Sequence, residues 1–299
     1  MIRIKIPATS ANLGPGFDCL GLALQLYNTI TIEPDQPFKI TLTGSYRDGL
    51  PEDKSNLVWQ TMCHLWDLLH YPIPSVALTL ENNIPPARGL GSSSAAIVGG
   101  LVAANVLAGS PYNKAELLQV ANALEGHPDN VTPALYGGVT LSVPTKDGIL
   151  PRVLVQSPHL KAVVVIPDTL LITEQARGIL PPEVSRKDAV FNISHVGLLI
   201  EAFIREDYSL LREGMCDVLH QNQRAALLPG LLETIEAALQ AGAYGAALSG
   251  SGPTLLALTN ESALLKVSQS MITKLEQHRV TAQAIVLEVD SCGATFSIT

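Results

Sequence analysis

Three polar, glycine-rich runs hold most of the residues in this 299-residue chain whose types and spacing could do chemistry. The most informative is Pro85-Pro86-Ala87-Arg88-Gly89-Leu90-Gly91-Ser92-Ser93-Ser94-Ala95-Ala96. Gly89 and Gly91 allow the backbone a positive φ and a close approach to a ligand. The serines after them stand at an expected helix start, where free N–H groups and the helix dipole favour an anion such as a di- or triphosphate. No lysine follows the second glycine, so this is not a Gly-x-x-x-x-Gly-Lys-Ser/Thr loop. Ser94 stands where the third glycine of a dinucleotide fingerprint belongs. A tight turn capped by serines would account for the run equally. The second run, Pro7-Ala8-Thr9-Ser10-Ala11-Asn12-Leu13-Gly14-Pro15-Gly16-Phe17-Asp18, follows an expected strand, a place where ligand groups often sit. The third, Ser249-Gly250-Ser251-Gly252-Pro253, also reads as a plain hairpin turn between two apolar strands.

The elements that must position these runs follow from periodicity. Ile2, Ile4 and Ile6 alternate with Arg3 and Lys5 as a half-buried strand, and Leu20–Ile32, Phe38–Leu42 and Val76–Leu80 continue as strands. Ser55 and Asn56 cap a helix whose Val58, Met62, Leu65 and Leu69 share a face. A helix of small residues (Ala95, Ala96, Gly99, Gly100, Ala103, Ala104), able to pack closely, begins at Ser92–Ser94; another carries Leu117, Val120, Ala121 and Leu124 and stops near Gly126. Beyond the strand Val139–Val143, Pro144–Pro151 reads as a linker. Then come the strand Leu160–Ile166, a long helix Asp188–Arg205, a helix with Leu231, Ile235 and Leu239 in register, the segment Ala243–Leu248, the strand Thr254–Leu258, a helix near Leu264–Gln277 and two terminal strands. This mixed order predicts an α+β fold with largely antiparallel sheets.

Composition sets the outer limits. A net charge of −8 and the lack of any Lys/Arg cluster argue against nucleic acid as a partner. Charged residues at 15% and apolar residues at 47% exclude a disordered chain. Ala95–Ala108, the longest nearly uncharged apolar stretch, is too short to span a bilayer, and the N-terminus lacks a signal peptide's apolar run, so no membrane association is expected. Cys19, Cys63, Cys216 and Cys292 are scattered, without Cys-x-x-Cys or zinc spacing, as in a reduced, cytoplasmic protein.

In their order and separations the three runs resemble the GHMP kinases (galacto-, homoserine, mevalonate and phosphomevalonate kinases), whose phosphate-loop pattern Pro-x-x-x-Gly-Leu-Gly-Ser-Ser is met by Pro85 to Ser93. Within that superfamily Pro7–Gly21, Glu125–Asn130 (EGHPDN), Thr173–Pro181 (TEQARGILP), Arg224–Gly230 (RAALLPG) and Gly245–Pro253 (GAALSGSGP) resemble its homoserine kinase branch. The resemblance implies the two-domain GHMP kinase fold: a ribosomal-protein-like N-terminal domain over 1–150 with the ATP phosphate loop, and a ferredoxin-like C-terminal domain over 151–299 that completes the substrate pocket. It implies transfer of the γ-phosphoryl group of ATP, with Mg2+, to the side-chain hydroxyl of L-homoserine, giving O-phospho-L-homoserine on the way to threonine. Homodimers are common among its members.

By the same resemblance Pro85, Pro86, Ala87, Arg88, Gly89, Leu90, Gly91, Ser92, Ser93, Ser94 and Ala95 form the ATP phosphate loop, and Asn56 and Leu57 line the adenine pocket. Ser93 and Glu125 are implied as Mg2+ ligands, oxygen donors of the kind that ion prefers. Arg177 and Arg224 suit the acceptor's carboxylate through paired guanidinium hydrogen bonds. Asp18 pairs with the ammonium or orients the hydroxyl, and Asn12, His127, Asn130 and Thr173 complete the acceptor pocket. Relatives such as mevalonate kinase place an Asp as candidate base at the position of Asn130. An Asn can orient a hydroxyl but not deprotonate it. The implied chemistry, carried by Asn130, Asp18 and Arg177, is in-line transfer without a dedicated base, through a loose transition state that needs little nucleophile activation. The chain departs from the branch at Asn222-Gln223, where many members carry Pro-Tyr before the Arg matched by Arg224. Two other readings stay open: a GHMP kinase for another small alcohol, such as mevalonate or shikimate, and a non-catalytic binding protein. The intact Gly89, Gly91, Ser93 and Glu125 speak against the second.

Overall fold

The computed structural model describes residues 1–171 and 173–298, and of Thr173 the backbone alone. Alternation in β1 (Ile2–Ala11) turns Ile2, Ile4 and Ile6 into the core and leaves Arg3 and Lys5 exposed, as the sequence predicts. There follow β2 (Leu20–Pro34), β3 (Lys39–Thr43), α1 (Leu57–Leu68), β4 (Val76–Glu81), α2 (Ser92–Leu107), α3 (Lys114–Glu125), α4 (Pro128–Tyr136), β5 (Val139–Thr145) and β6 (Gly148–Val155). The chain continues through β7 (Lys161–Pro167), α5 (Thr173–Gly178), α6 (Arg186–Arg205), α7 (Leu211–Gly214), α8 (Gln221–Arg224), α9 (Leu231–Ala241), β8 (Gly245–Leu248), β9 (Leu255–Thr259), α10 (Leu264–Gln277), β10 (Ala282–Glu288) and β11 (Thr295–Ile298).

The first sheet runs β11-β1-β2-β4-β3, with β5 also on β2 and β6 on β5; β3 and β4 pair in parallel and the other pairs are antiparallel. A register shift at Pro7/Ala8 bends β2. Its first residues then pair with β5 and its last with β4. The second sheet is antiparallel in the order β10-β7-β9-β8, the strand order of a ferredoxin-like unit. The uninterrupted Ala162-Val163-Val164-Val165-Ile166 is explained by burial on both faces. Val163 and Val165 face α9 and α10, while Val164 and Ile166 join the core of the first sheet.

The segment Pro144–Pro151 is not a linker but the tip of the β5/β6 hairpin, with Ser142 opposite Pro151 and Pro144 opposite Ile149. Pro151 is tolerated because β6 is an edge strand that pairs with β5 alone, and Pro144 because the pairing of β5 with β2 ends at Leu141. Position 150 therefore falls inside β6, and β11 returns the chain to the first sheet. Among the described residues no helix is long and apolar enough to cross a membrane.

Helix α2, which starts the phosphate loop's helix, is buried on nearly all sides. Close approach is enforced at Gly99 and Gly100: a Cβ at Gly100 would lie 2.8 Å from the Val58 carbonyl of α1, and one at Gly99 2.7 Å from Ile30 Cδ1. Trp66 Nε1 donates to Ala104 O across the same contact at 3.1 Å. The Glu125–Asn130 motif becomes the end of α3, its left-handed Gly126 cap and a new start at α4, where Pro128 takes a first-turn position that needs no N–H.

Candidate active site

A cavity of about 610 Å³ opens where the three glycine-rich runs meet. Asn12, Asp18, Asn56, Leu57, Pro86, Ala87, Arg88, Gly89, Leu90, Gly91, Ser92, Ser93, Glu125, His127, Asn130, Arg177 and Arg224 all line it. Pro85, Ser94 and Ala95 do not: all three are buried, and Ser94 and Ala95 turn to the inner side of α2. The side chain of Thr173 lies outside the described residues.

At one end the phosphate loop is built by glycines that nothing else could replace. Gly89 and Gly91 hold φ of +75° and +67°. A Cβ at Gly89 would lie 2.3 Å from Ser249 O, and one at Gly91 1.9 Å from Thr9 Oγ1. Ala95 N–H makes the first helical bond, to Gly91 O at 2.8 Å, so the N–H groups of Ser92, Ser93 and Ser94 precede any helical acceptor. Ser93 Oγ (2.9 Å) and Ser94 Oγ (2.6 Å) both donate to Glu125 Oε1, which fixes that carboxylate beside the helix N-terminus. One carboxylate and one exposed hydroxyl, both hard oxygen donors, fit Mg2+ held chiefly by nucleotide phosphates. Among the described residues no cluster of three or more acidic, His or Cys side chains competes for that role. Asn56 caps α1, with Oδ1 accepting from Val58 N–H at 3.0 Å, and lines the cavity as well; Leu57 beside it is 39% exposed.

At the other end the residues expected to hold the acceptor converge, with pairings the sequence did not show. Asp18 is held by Arg177 through two parallel bonds of 3.0 and 2.7 Å. That hydrogen bonding, opposed by burial, raises the Arg177 pKa. Asn12 joins its own loop to the third run, accepting from Asp18 N–H at 3.1 Å and donating to Gly250 O at 3.0 Å. Arg224, 2% exposed, donates from Nε to Ala176 O and from Nη1 to Gly250 O, and no acidic side chain pairs with it among the described residues. Burial, and next the charge of Arg177, push its pKa down to about 10, which leaves it charged at neutral pH. The Phe17 ring lies near both guanidinium groups, its centroid 5.6 Å from that of Arg177 and 5.5 Å from that of Arg224.

Asn222-Gln223 lie within α8, which places Arg224 at its end. Asp217 starts α8 by accepting from the N–H groups of Leu219, His220 and Gln221, and Gln221 Oε1 anchors the helix to Leu248 N–H.

Thr9 and Asp129 were not singled out from sequence. Thr9 Oγ1 donates to Asn130 Oδ1 at 2.8 Å, fixing which end of that amide faces the cavity. Asp129, 2% exposed, lies 2.7 Å from His127 Nδ1. Burial pulls the His127 pKa down, but the Asp129 hydrogen bond with the charges of Asp129 and Glu125 outweighs it, against Arg177, and the net shift is upward. Gly250 and Ser251 of the third run also line the cavity.

The GHMP kinases N terminal domain matches residues 56–138 and the GHMP kinases C terminal domain matches residues 199–277. The chain is 58% identical over 294 residues to the homoserine kinase of Desulfitobacterium hafniense, covering 98% of this chain and 99% of that one. It is 43% identical over 297 residues to that of Crocosphaera subtropica, covering 98% and 96%. The crystal structure of homoserine kinase from Cytophaga hutchinsonii superposes with a TM-score of 0.87 at 31% identity, over 99% of this chain and 97% of that one. The mevalonate kinase of L. major, solved with R-mevalonate, shares the fold alone, with a TM-score of 0.72 at 16% identity over 96% of each chain. Full-length identity at this level, with the glycine loop, the Glu125 clasp and the buried Arg224 in one cavity, places the chain in the homoserine kinase family of the GHMP kinases.

Proposed function

We propose that the protein transfers the γ-phosphoryl group of ATP to the side-chain hydroxyl of L-homoserine, yielding ADP and O-phospho-L-homoserine for threonine biosynthesis. The observation that carries this reading is a single cavity with a glycine-built anion cradle at one end and, at the other, a buried guanidinium that no acidic side chain pairs with among the described residues. The free N–H groups of Ser92–Ser94 and the dipole of α2 stabilise phosphate charge. Ser93 and Glu125 would hold Mg2+, which neutralises charge on the transferring phosphoryl group when bound. Arg224 takes the acceptor's carboxylate. Asp18, held by Arg177, faces its ammonium. Asn130, oriented by Thr9, aligns the hydroxyl. His127 is hydrogen-bonded to Asp129 at the edge of the acceptor pocket, and no side chain is assigned to remove the hydroxyl proton. The four free cysteines fit a reducing, cytoplasmic setting.

Coupled ADP release against L-homoserine, L-serine, mevalonate, shikimate and galactose tests the assignment. Turnover confined to L-homoserine is expected; a preference for another alcohol overturns the acceptor assignments but spares the phosphate end. Asn130→Asp separates the mechanisms. It sets a second carboxylate beside Asp129 and removes the amide donor, so kcat should fall roughly tenfold or more. A many-fold rise would show that a base was what the site lacked.

A further inference from the structure

His220 is fully buried, touches no part of the phosphate end, and has no role in the reading above. Its two ring nitrogens nevertheless meet partners of opposite kind. Nε2 lies 2.8 Å from Gly14 O, which can only accept, and Nδ1 lies 3.2 Å from Arg224 Nη1, which can only donate. Both contacts are satisfied together by one species: the neutral imidazole with its proton on Nε2. Burial, and the charge of Arg224, oppose protonation, against the carboxylate of Asp217. That carboxylate, 3.6 Å from Nε2, is occupied by three backbone N–H groups and by Asn192 Nδ2.

Among the described residues the hydrogen-bond partners of Arg224 are thus Ala176 O, Gly250 O and His220 Nδ1, all neutral acceptors. A buried arginine usually meets a carboxylate, because an isolated charge is costly to bury. Neutral dipoles fix the guanidinium in place, while Asp18, Asp217 and Asp129 act on its charge only through space and none of them pairs with it. The same ring holds Gly14 in the loop that carries Asn12 and Asp18, and it packs on Phe17 with ring centroids 5.3 Å apart.

We propose that His220 is a positioning residue: as a neutral imidazole it holds Arg224 and the Asn12–Asp18 loop in register while withholding negative charge, so that Arg224 keeps its affinity for the acceptor's carboxylate. This rests on the proposed function in one respect, the assignment of Arg224 to that carboxylate.

The test compares kcat/KM for L-homoserine with that for 2-aminobutane-1,4-diol, which lacks the carboxylate, in wild type and in His220→Asn, His220→Asp and His220→Leu. Asn places an uncharged oxygen close to Nδ1, and Asp places a charged one there in the same shape. The preference for L-homoserine should largely survive in His220→Asn. It should fall roughly tenfold to a hundredfold in His220→Asp, with the KM for ATP within about twofold of wild type. His220→Leu should fall between them. Equal preferences in the Asn and Asp variants overturn the proposal. Should the variants fail to fold, 15N spectra of the wild-type ring decide it: a neutral Nε2–H tautomer from pH 6 to 8 supports the proposal, and an imidazolium or Nδ1–H form overturns it. Wild type inactive toward L-homoserine would defeat the proposed function instead, while leaving the ring assignment to those spectra.

Discussion

Glu125→Gln should lower kcat by about 10²–10³-fold while leaving the fold intact, a cost typical of removing one group that stabilises charge in the transition state. The geometry makes this substitution unusually clean. Both serine hydroxyls donate to Glu125 Oε1, and a glutamine can present an amide oxygen at the same place. Ser94, fully buried, keeps its acceptor, and thermal stability should stay within a few degrees of wild type. What is removed is the negative charge beside the N-terminus of α2 that would help hold the proposed Mg2+. The KM for L-homoserine should change little, because Glu125 lies at the phosphate end. Glu125→Ala, by contrast, strands a buried hydroxyl and should cost stability as well, about 1–3 kcal/mol. Steady-state kinetics over a Mg2+ series, with melting curves for both variants, separate the two effects. Near-wild-type kcat in Glu125→Gln at saturating Mg2+ would remove Glu125 from the metal site.

Gly91→Ala should be the most damaging change of a single methyl group. At φ +67° a side chain already costs about 1–2 kcal/mol. The added Cβ would also stand 1.9 Å from Thr9 Oγ1, a group with no room to retreat because Thr9 is fully buried and bonded to Asn130. The clash therefore spreads from the phosphate loop to Asn130, the residue proposed to align the acceptor. Expected outcomes are a loss of kcat/KM of about 10²-fold or more for both substrates and a clear drop in melting temperature. The double variant Gly91→Ala/Thr9→Ala should recover part of the stability and little of the activity, because it relieves the contact but frees the Asn130 amide. Such non-additivity is what neighbours sharing one site produce. Additive losses in the double variant would show that Thr9 is not the obstacle.

Much of this site was legible because its parts are local. Gly89, Gly91 and the serines after them carry their meaning in sequence, since positive φ and an anion-ready helix start depend on a few consecutive residues. Arg177 and Arg224 were singled out by the motifs around them, and both line the cavity. What stayed hidden lives in pairings between distant segments: Thr9 with Asn130, Arg177 with Asp18, His220 with Gly14. Nothing in the spacing of Asp18 and Arg177 announces that they satisfy each other. The misreading of Pro144–Pro151 has a different source. Two prolines suggested a linker, yet Asp147-Gly148 between them is a hairpin turn signal, and prolines are harmless at a sheet edge. In the fold itself, β7 offered no alternation to read because it is buried on both faces.

The stitching of the third run to the other two has a consequence for how the molecule reaches its working state. Ser249 Oγ donates to Gly89 O and shares a hydrogen bond with Ser10 Oγ, Gly250 N–H donates to Ala11 O, and Asn12 Nδ2 donates to Gly250 O. These contacts join residues 160 to 239 positions apart. Loops of that length close late in folding, because their entropy must be spent before the contacts form. The nucleotide cradle is then among the last features to assemble, and a chain in which either sheet has yet to form presents no site to bind. Nucleotide occupancy accordingly reports complete folding and reinforces it: ligand at a hundred times its Kd adds about 2.7 kcal/mol against global unfolding. In a cell well supplied with nucleotide, the ligand itself acts as a selective stabiliser of finished molecules over partly folded ones.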